Sequence, residues 1–365
     1  MSWLEVHIFG AYPFGEGIVL KFPDGRYAVV DCCNLGHDLD FSDNGIVAFL
    51  RKHRVTSLAF ACLTHPHEDH YRGLQQVMET APPEVFFRSA AMQAMDLMQI
   101  AKADFAAAGS DAARQKSVAA LTSLFKIVKQ LGIRQEVVAL GTHLYPFIPS
   151  KNNSFAVNAF APCGSEIEAY QSSLRKCFRP DDGMPVDKVP SLQHNDISMG
   201  LRVVCKKFSI VLGGDVTKRN WENVVSHGLV DFSRPATALV KVAHHGSPTG
   251  DCEGLWEAIA KNNKPLAAVV TGWSNALPEW VTLQRISTHV QNTYCTHERA
   301  ITRNRDNRMA TIFSSDRETM TLSEIGFTEI VREDSDNGVG RCSFLFEKDG
   351  TVNIDIQSPS INVPI

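Results

Sequence analysis

Thr64-His65-Pro66-His67-Glu68-Asp69-His70 follows directly on the apolar run Leu58-Ala59-Phe60-Ala61-Cys62-Leu63. A short apolar run bounded by polar residues predicts a buried strand, so three imidazoles and two carboxylates leave its end together. Neutral imidazole and carboxylate are the donors that zinc and neighbouring divalent metals take. The His-x-His spacing puts two rings on one side of an extended loop, and Asp69-His70 can serve a second centre. A solvated polar turn ahead of a helix is the plainer reading. Short histidine-rich tracts, however, signify metal, and further donors lie downstream.

Upstream of the loop, residues 3–10, 17–22 and 27–31 read as strands, with Pro23-Asp24-Gly25-Arg26 as a hairpin turn. Asp31 closes the third strand, either as a cap for the next turn or as part of a site. Residues 44–53 predict a helix leading into the strand before the histidines.

Beyond His70, residues 73–78 predict a helix and 84–88 a strand. Residues 89–131 are rich in Ala, Met, Gln and Lys, with apolar positions at helical spacing broken at Gly109-Ser110-Asp111. They predict a helical hairpin whose methionines pack on the body. Strands resume at 135–140 and 155–161, separated by a proline-rich loop that holds His143. After a short helix at 166–176, residues 179–190 have the composition of an exposed loop, either a gate or an insertion.

Chemistry returns at His194-Asn195-Asp196-Ile197-Ser198, ahead of strands at 199–205 and 208–212. The second of these runs into Gly213-Gly214-Asp215, a carboxylate on a glycine turn. One carboxylate bridging two cations is common in two-metal hydrolases; a turn aspartate serving only the backbone is the alternative. A helix at 218–227 and a strand at 238–243 lead to His244-His245-Gly246-Ser247. Adjacent histidines at a strand end point apart, so one can bind metal while the other orients it or meets substrate. Helices at 253–261 and 278–291 alternate with strands at 266–271 and 292–296, and 310–356 reads as short strands and turns. The basic run Arg299, Arg303, Arg305 and Arg308 is either a solvated loop or a phosphate contact, the latter through Arg303 and Arg305.

With 365 residues, 44% hydrophobic and 21% charged, the chain has the composition of a globular protein. A formal net charge of −4 gives no overall electrostatic footprint for nucleic acid, which leaves a local basic groove as the route to it. Nine cysteines with no Cys-x-x-Cys pair point to free thiols in a reducing compartment. No basic region precedes an apolar core at Met1-Ser2-Trp3-Leu4-Glu5, and no run approaches the ~18 apolar residues of a membrane helix. The expected location is the cytoplasm.

The histidine loop, the Gly-Gly-Asp turn and the His-His-Gly-Ser turn, in that order, resemble the metallo-β-lactamase superfamily. The resemblance implies an α/β fold, a four-layer αββα sandwich with metals at the edge between its sheets. Here that is one domain over 1–365, with 89–131 as a helical-hairpin insertion and 310–365 as a strand-rich C-terminal extension. The likeness itself reaches to about residue 296. The opening segments, Asn195 with Ser198, Leu201 and Arg202, and His-His-Gly-Ser are similar to the branch that includes the hydrolase domain of the competence protein ComEC. Carried over residue by residue, His65 and His67 match ligands of a first metal, and Asp69 and His70 those of a second. Asp215 matches the bridging carboxylate, and one of His244 and His245 the last histidine. His244 is taken here as the ligand and His245, with Asp69, as catalytic. His194 is the foremost match to a further histidine of the first site and His143 the other, although the branch aligns best at Asn195. Asp31, Asn195 and Ser247 match supporting positions.

Two divalent cations, zinc or manganese, are thus the implied cofactors. The implied function is metal-dependent hydrolysis, foremost as a phosphodiesterase or nuclease. A carbonyl substrate such as a lactone or thioester is the alternative within the same chemistry. Outside it stands a scaffold with a degenerate site. The expected partners are a phosphodiester, nucleic acid included, and a protein at 89–131, with no membrane.

Overall fold

The run Leu58–Leu63 is buried along its whole length, and a strand with no exposed face must be covered on both sides. In the computed structural model this covering is complete. It describes residues 3–11, 14–34, 44–92, 112–148, 154–178, 192–273, 277–297, 327–333, 339–348, 351–357 and 360–363. The strands are β1 (Leu4–Ala11), β2 (Gly15–Lys21), β3 (Tyr27–Val30), β4 (Leu58–Leu63), β5 (Pro83–Ser89), β6 (Arg134–Val138), β7 (His143–Tyr145), β8 (Phe155–Ala161) and β9 (Gly200–Cys205). They continue with β10 (Ser209–Leu212), β11 (Thr237–Lys241), β12 (Ala267–Val270), β13 (Asn292–Cys295), β14 (Phe327–Glu333), β15 (Gly340–Phe346), β16 (Val352–Gln357) and β17 (Ile361–Asn362).

Two sheets result. One has the order β14-β16-β15-β1-β2-β3-β4-β5-β6 and the other β17-β13-β12-β11-β10-β9-β8-β7. Their facing sides form one apolar layer, in which Val30, Cys62, Val85 and Phe344 of the first sheet join Leu201, Val203, Leu212 and Tyr294 of the second. The outer face of the first sheet is covered by α1 (Gly45–Lys52), α2 (Glu68–Tyr71), α3 (Leu74–Thr80), α4 (Ala112–Gln130) and α5 (Gly164–Arg175). In α1 the buried residues Ile46, Val47, Phe49 and Leu50 make one stripe at helical spacing, and the Asn44 side chain caps the helix by accepting from the Val47 N–H. The second sheet is covered by α6 (Lys218–Ser226), α7 (Glu253–Ala260) and α8 (Trp280–His289), through Trp221, Trp256 and Ile286 among others. The chain is a four-layer αββα sandwich.

Within each sheet four neighbouring strands run parallel, β3 to β6 in one and β10 to β13 in the other. The carboxyl ends of parallel strands are where open α/β sheets gather ligands, because the loops leaving them converge. Most elements fall within two residues of their expected bounds. The proline-rich loop differs: His143–Tyr145 forms a short strand paired to β8. Three residues are too few for alternation to register. The helical hairpin expected over 89–131 is described at its second helix, and 93–111 lie outside the described residues, as do 179–190 and 310–326. Beyond residue 310, β15 lies between β1 and β16 and β17 pairs with β13, so both sheets draw strands from this region. No helix among the described residues is long and apolar enough to cross a membrane.

Phe344 lies in the layer between the sheets, fully buried and edge-on to Tyr294. Phe344→Ala is expected to destabilise the protein by about 3–5 kcal/mol, measured as a lowered midpoint of urea unfolding. An unchanged midpoint would mean that β15 is not part of the core.

Candidate metal centre

Val30 pairs with Cys62 in the parallel register, so the residues leaving β3 and β4 emerge side by side. Asp31 therefore meets Thr64, whose N–H and hydroxyl donate to its two oxygens at 2.8 and 2.7 Å. The hydroxyl has one proton, committed to Asp31, so towards His65 Nδ1 at 3.0 Å the same oxygen accepts. That places the His65 proton on Nδ1 and leaves Nε2 to face His67 Nδ1 at 3.0 Å and Asp215 Oδ2 at 3.7 Å. Asp31 also takes the N–H of His70 Nδ1 at 2.8 Å, turning His70 Nε2 inward. The loop lies close against β2. A Cβ on Gly15 would fall 2.1 Å from the Asp69 carbonyl oxygen, so only glycine fits there.

From the second sheet, β10 runs into the Gly213-Gly214 turn. Gly214 has φ +50°, and a Cβ there would meet Met199 O at 2.7 Å. The turn delivers Asp215, whose N–H donates to Ser198 Oγ at 2.8 Å. Its Oδ1 faces His70 Nε2 at 3.3 Å and His245 Nε2 at 3.9 Å, while Oδ2 faces His65 Nε2 and, at 3.9 Å, His244 Nε2. Two groups of donors thus converge within 4.8 Å: His65, His67 and Asp215 in one, and Asp69, His70, Asp215 and His245 in the other. Asp215 belongs to both.

His244 and His245 are left-handed at φ 49° and 50°, and Asp31 at 57°. Such backbone costs roughly 1–3 kcal/mol per residue and persists where its surroundings hold it. Here it splits the pair. His245 turns inward, its Nε2 3.2 Å from Asp69 Oδ2, beneath the stacked ring of Trp273. His244 stays partly exposed, its Nδ1 2.9 Å from Thr249 Oγ1 and its Nε2 accepting from Asn195 Nδ2 at 3.0 Å.

The electrostatics call for cations. Glu16, Asp31, Asp69 and Asp215 are all buried around the two groups, and the buried ammonium opposite them is Lys241, on Glu16. Burial pushes the His70 pKa down, but Asp215, Asp69 and Asp31 outweigh it and hold that imidazole well above its ordinary value. Burial raises Asp215, yet His70, His245 and His65 hold it well below the carboxylate range. His70 Nε2 and Asp215 Oδ1 have no hydrogen-bond partner among the described residues. Buried nitrogen and oxygen atoms left bare and converging from two sheets fit divalent metal ions. The thiols nearby do not take part: burial lifts Cys32 to about 12 and, with Asp69, lifts Cys33 well above the ordinary range, so neither is a thiolate near pH 7.

Of the other residues singled out in the sequence, His194 lies in neither group. Its Nδ1 bonds the Tyr170 hydroxyl at 2.8 Å, its ring centre is 5.2 Å from that of His67, and burial with the neighbouring His67 pushes its pKa down to about 3. His143 is also in neither group; its nitrogens meet Asn158 Oδ1 and the Pro146 carbonyl. Ser247 accepts from the Thr249 N–H and so braces the threonine against His244. Arg303 and Arg305 lie outside the described residues. Glu16, Lys241 and Thr271 are not singled out by the sequence. The available signal for Glu16 is an acid between two glycines in an otherwise apolar strand.

Solved structures similar in fold include CmlA, a diiron β-hydroxylase from Streptomyces venezuelae, at 11% identity and TM-score 0.36 over 73% of this chain and 44% of that one. The hydrolase AbOPH of the β-lactamase superfamily is similar at 13% identity and TM-score 0.34 over 56% of each chain. Zn²⁺-bound PqqB from Methylobacterium extorquens is similar at 11% identity and TM-score 0.34 over 75% of this chain and 83% of that one. The chain spans about half the length of CmlA and of AbOPH. No protein-family model matches the chain, and no curated protein matches it.

Asp215→Ala removes a donor common to both groups and is expected to abolish tight binding of both ions, whereas His67→Ala spares the second group. Metal analysis after gel filtration separates the two outcomes. In chelator-treated protein, the raised pKa of His70 gives stability that is complete below about 6.5, the ordinary imidazole value, and is lost as pH rises towards the folded value. The Tm of chelated protein is therefore expected to fall above that pH. A flat profile would contradict the assigned ring of carboxylates.

Proposed function

We propose that the chain is a metal-dependent hydrolase of the metallo-β-lactamase type, acting on a phosphodiester, nucleic acid included. The observation that carries the reading is Asp215, with one oxygen towards His65 and the other towards His70 and His245. His65, His67 and Asp215 would hold one divalent ion, and Asp69, His70, Asp215 and His245 the other. Such a pair supplies Lewis acidity and a water activated near neutral pH.

The chain's own residues do the rest. Asp31 and Thr64 fix the His65 and His70 rings, so that each presents a lone pair at Nε2. Asp69, whose Oδ2 faces His245 Nε2 at 3.2 Å, orients the attacking water. His244 is the residue on the open side. Burial holds its pKa below the ordinary value, so the ring is neutral near pH 7, with Nδ1–H directed to Thr249 and Nε2 accepting from Asn195. It is placed to meet the scissile group, its Nε2 giving up the Asn195 hydrogen bond to take a proton there. His194, held by Tyr170, lines the same approach beside His67 and is assigned here to substrate instead of metal. The phosphodiester assignment is supported by the ComEC-like segments around Asn195 and His244-His245-Gly246-Ser247, which carry these open-side residues.

The test is hydrolysis of bis-p-nitrophenyl phosphate and of labelled single- and double-stranded DNA with Mn²⁺ or Zn²⁺. Wild type is expected to be active and His67→Ala reduced at least ~100-fold. His244→Ala is expected to keep both ions and lose about 10²–10⁴-fold in kcat. Turnover of lactones or thioesters with none of phosphodiesters would sink the substrate assignment and leave the centre standing. Protein with neither activity nor metal would sink both.

A further inference from the structure

We infer that Glu16, Lys241 and Thr271 form a positioning relay that fixes the tautomer of His245 and sets the affinity of the second of the two ions; this rests on the two-ion reading above. Thr271 Oγ1 donates to Glu16 Oε2, and a hydroxyl has one proton. Towards His245 Nδ1, 2.9 Å away, Thr271 therefore accepts, and Glu16 Oε2 lies 3.3 Å from the same nitrogen. Both neighbours require the His245 proton on Nδ1. The lone pair of Nε2 is then left for the side on which Asp69 and Asp215 lie. The arrangement repeats, around the second group, the Asp31–Thr64–His65 chain of the first.

The other Glu16 oxygen, Oε1, is 3.9 Å from His70 Nδ1, so one carboxylate stands behind both histidines of the second group. Lys241 Nζ donates to that oxygen and, at 3.1 Å, to the carbonyl of Gly214, the residue before Asp215. Glu16 with Asp31 and His70 makes a third convergent group, but the ammonium already on Glu16 is its cation. All three relay residues are buried at 2% exposure or less. A buried ion pair is a weak source of stability compared with an apolar replacement, so its use here is better sought in orientation. This one ties β2 of the first sheet to β11 of the second and to the turn that carries Asp215. Partners that orient ligand histidines change metal affinity by about 10–100-fold when removed.

The experiment is competition titration with Zn²⁺ against a chromophoric chelator on wild type, Glu16→Gln/Lys241→Met and Thr271→Val. Long-range ¹H–¹⁵N spectra of the imidazoles read the tautomers in parallel. Wild type is expected to bind two ions, and the double variant to bind the first as wild type does and the second about 10–100-fold more weakly. Thr271→Val is expected to move in the same direction by less, since Glu16 Oε2 still faces the His245 Nδ1–H, whereas the double variant is expected to lose the single Nδ1–H form. Should the double variant fail to fold, Thr271→Val decides alone, since valine keeps the side-chain shape and leaves the ion pair intact. Unchanged second-ion affinity with an unchanged His245 tautomer, or equal loss of both ions, overturns the relay. Wild type binding fewer than two ions overturns the two-ion reading itself, whatever the variants do.

Discussion

Four carboxylates, Glu16, Asp31, Asp69 and Asp215, are held out of water at 1–5% exposure where the two sheets meet. Charges so placed have lost their hydration and repel one another, so the fold is stable only if positive charge and hydrogen-bond donors are built in around them. The imidazoles, the Lys241 ammonium and the two threonine hydroxyls are that surrounding. Asp31 and Glu16 serve as inner references: each accepts from a threonine that in turn accepts from a histidine. Asp69 and Asp215 face the convergent nitrogens instead. The division of labour among chemically identical groups comes from position alone, since strand ends from one sheet supply the references and both sheets supply the donors.

The division also explains why the backbone is strained at this place. Asp31, His244 and His245 are three of the four non-glycine residues with positive φ among the described residues. Extended backbone at 244–245 would put the two rings on opposite faces of a strand, one towards the first sheet and the other away from it. The left-handed pair instead folds His245 towards Asp69 and leaves His244 beside Asn195. The hydrogen bonds to Thr271 and Thr249 hold the two rings there and oppose relaxation of the turn.

The strands and helices are largely legible in the sequence, because apolar runs of strand length alternate with stripes at helical spacing, whereas their arrangement as a sandwich is implied there by the resemblance that the histidine loop, the Gly-Gly-Asp turn and the His-His pair carry. The histidine loop, the Gly-Gly-Asp turn and the His-His pair stand out for a related reason: each ends an apolar run with residues that packing does not need. Which histidine of the pair faces inward is not legible, because the answer depends on two consecutive left-handed residues that no spacing announces. Glu16 and Thr271 are quieter still. They are 255 positions apart, and neither belongs to a cluster until the sheets bring β2 and the end of β12 together. The pairing of β15 with β1 is hidden in the same way, as a long-range register without a local mark.

That last pairing carries a consequence for the order in which the molecule comes into being. His7 and Ser343, hydrogen-bonded across it, are 336 positions apart. A growing chain exposes residues 4–11 early and supplies their second partner only after all the donor residues have been made. Until then β1 offers a bare edge, with unpaired N–H and C=O groups on one side. Contacts of such span form slowly, because a long loop must close before they reward it. The nascent chain thus holds its full set of histidines and aspartates for some time before the sheet beneath the histidine loop is complete. This is the interval in which a chaperone would find it open.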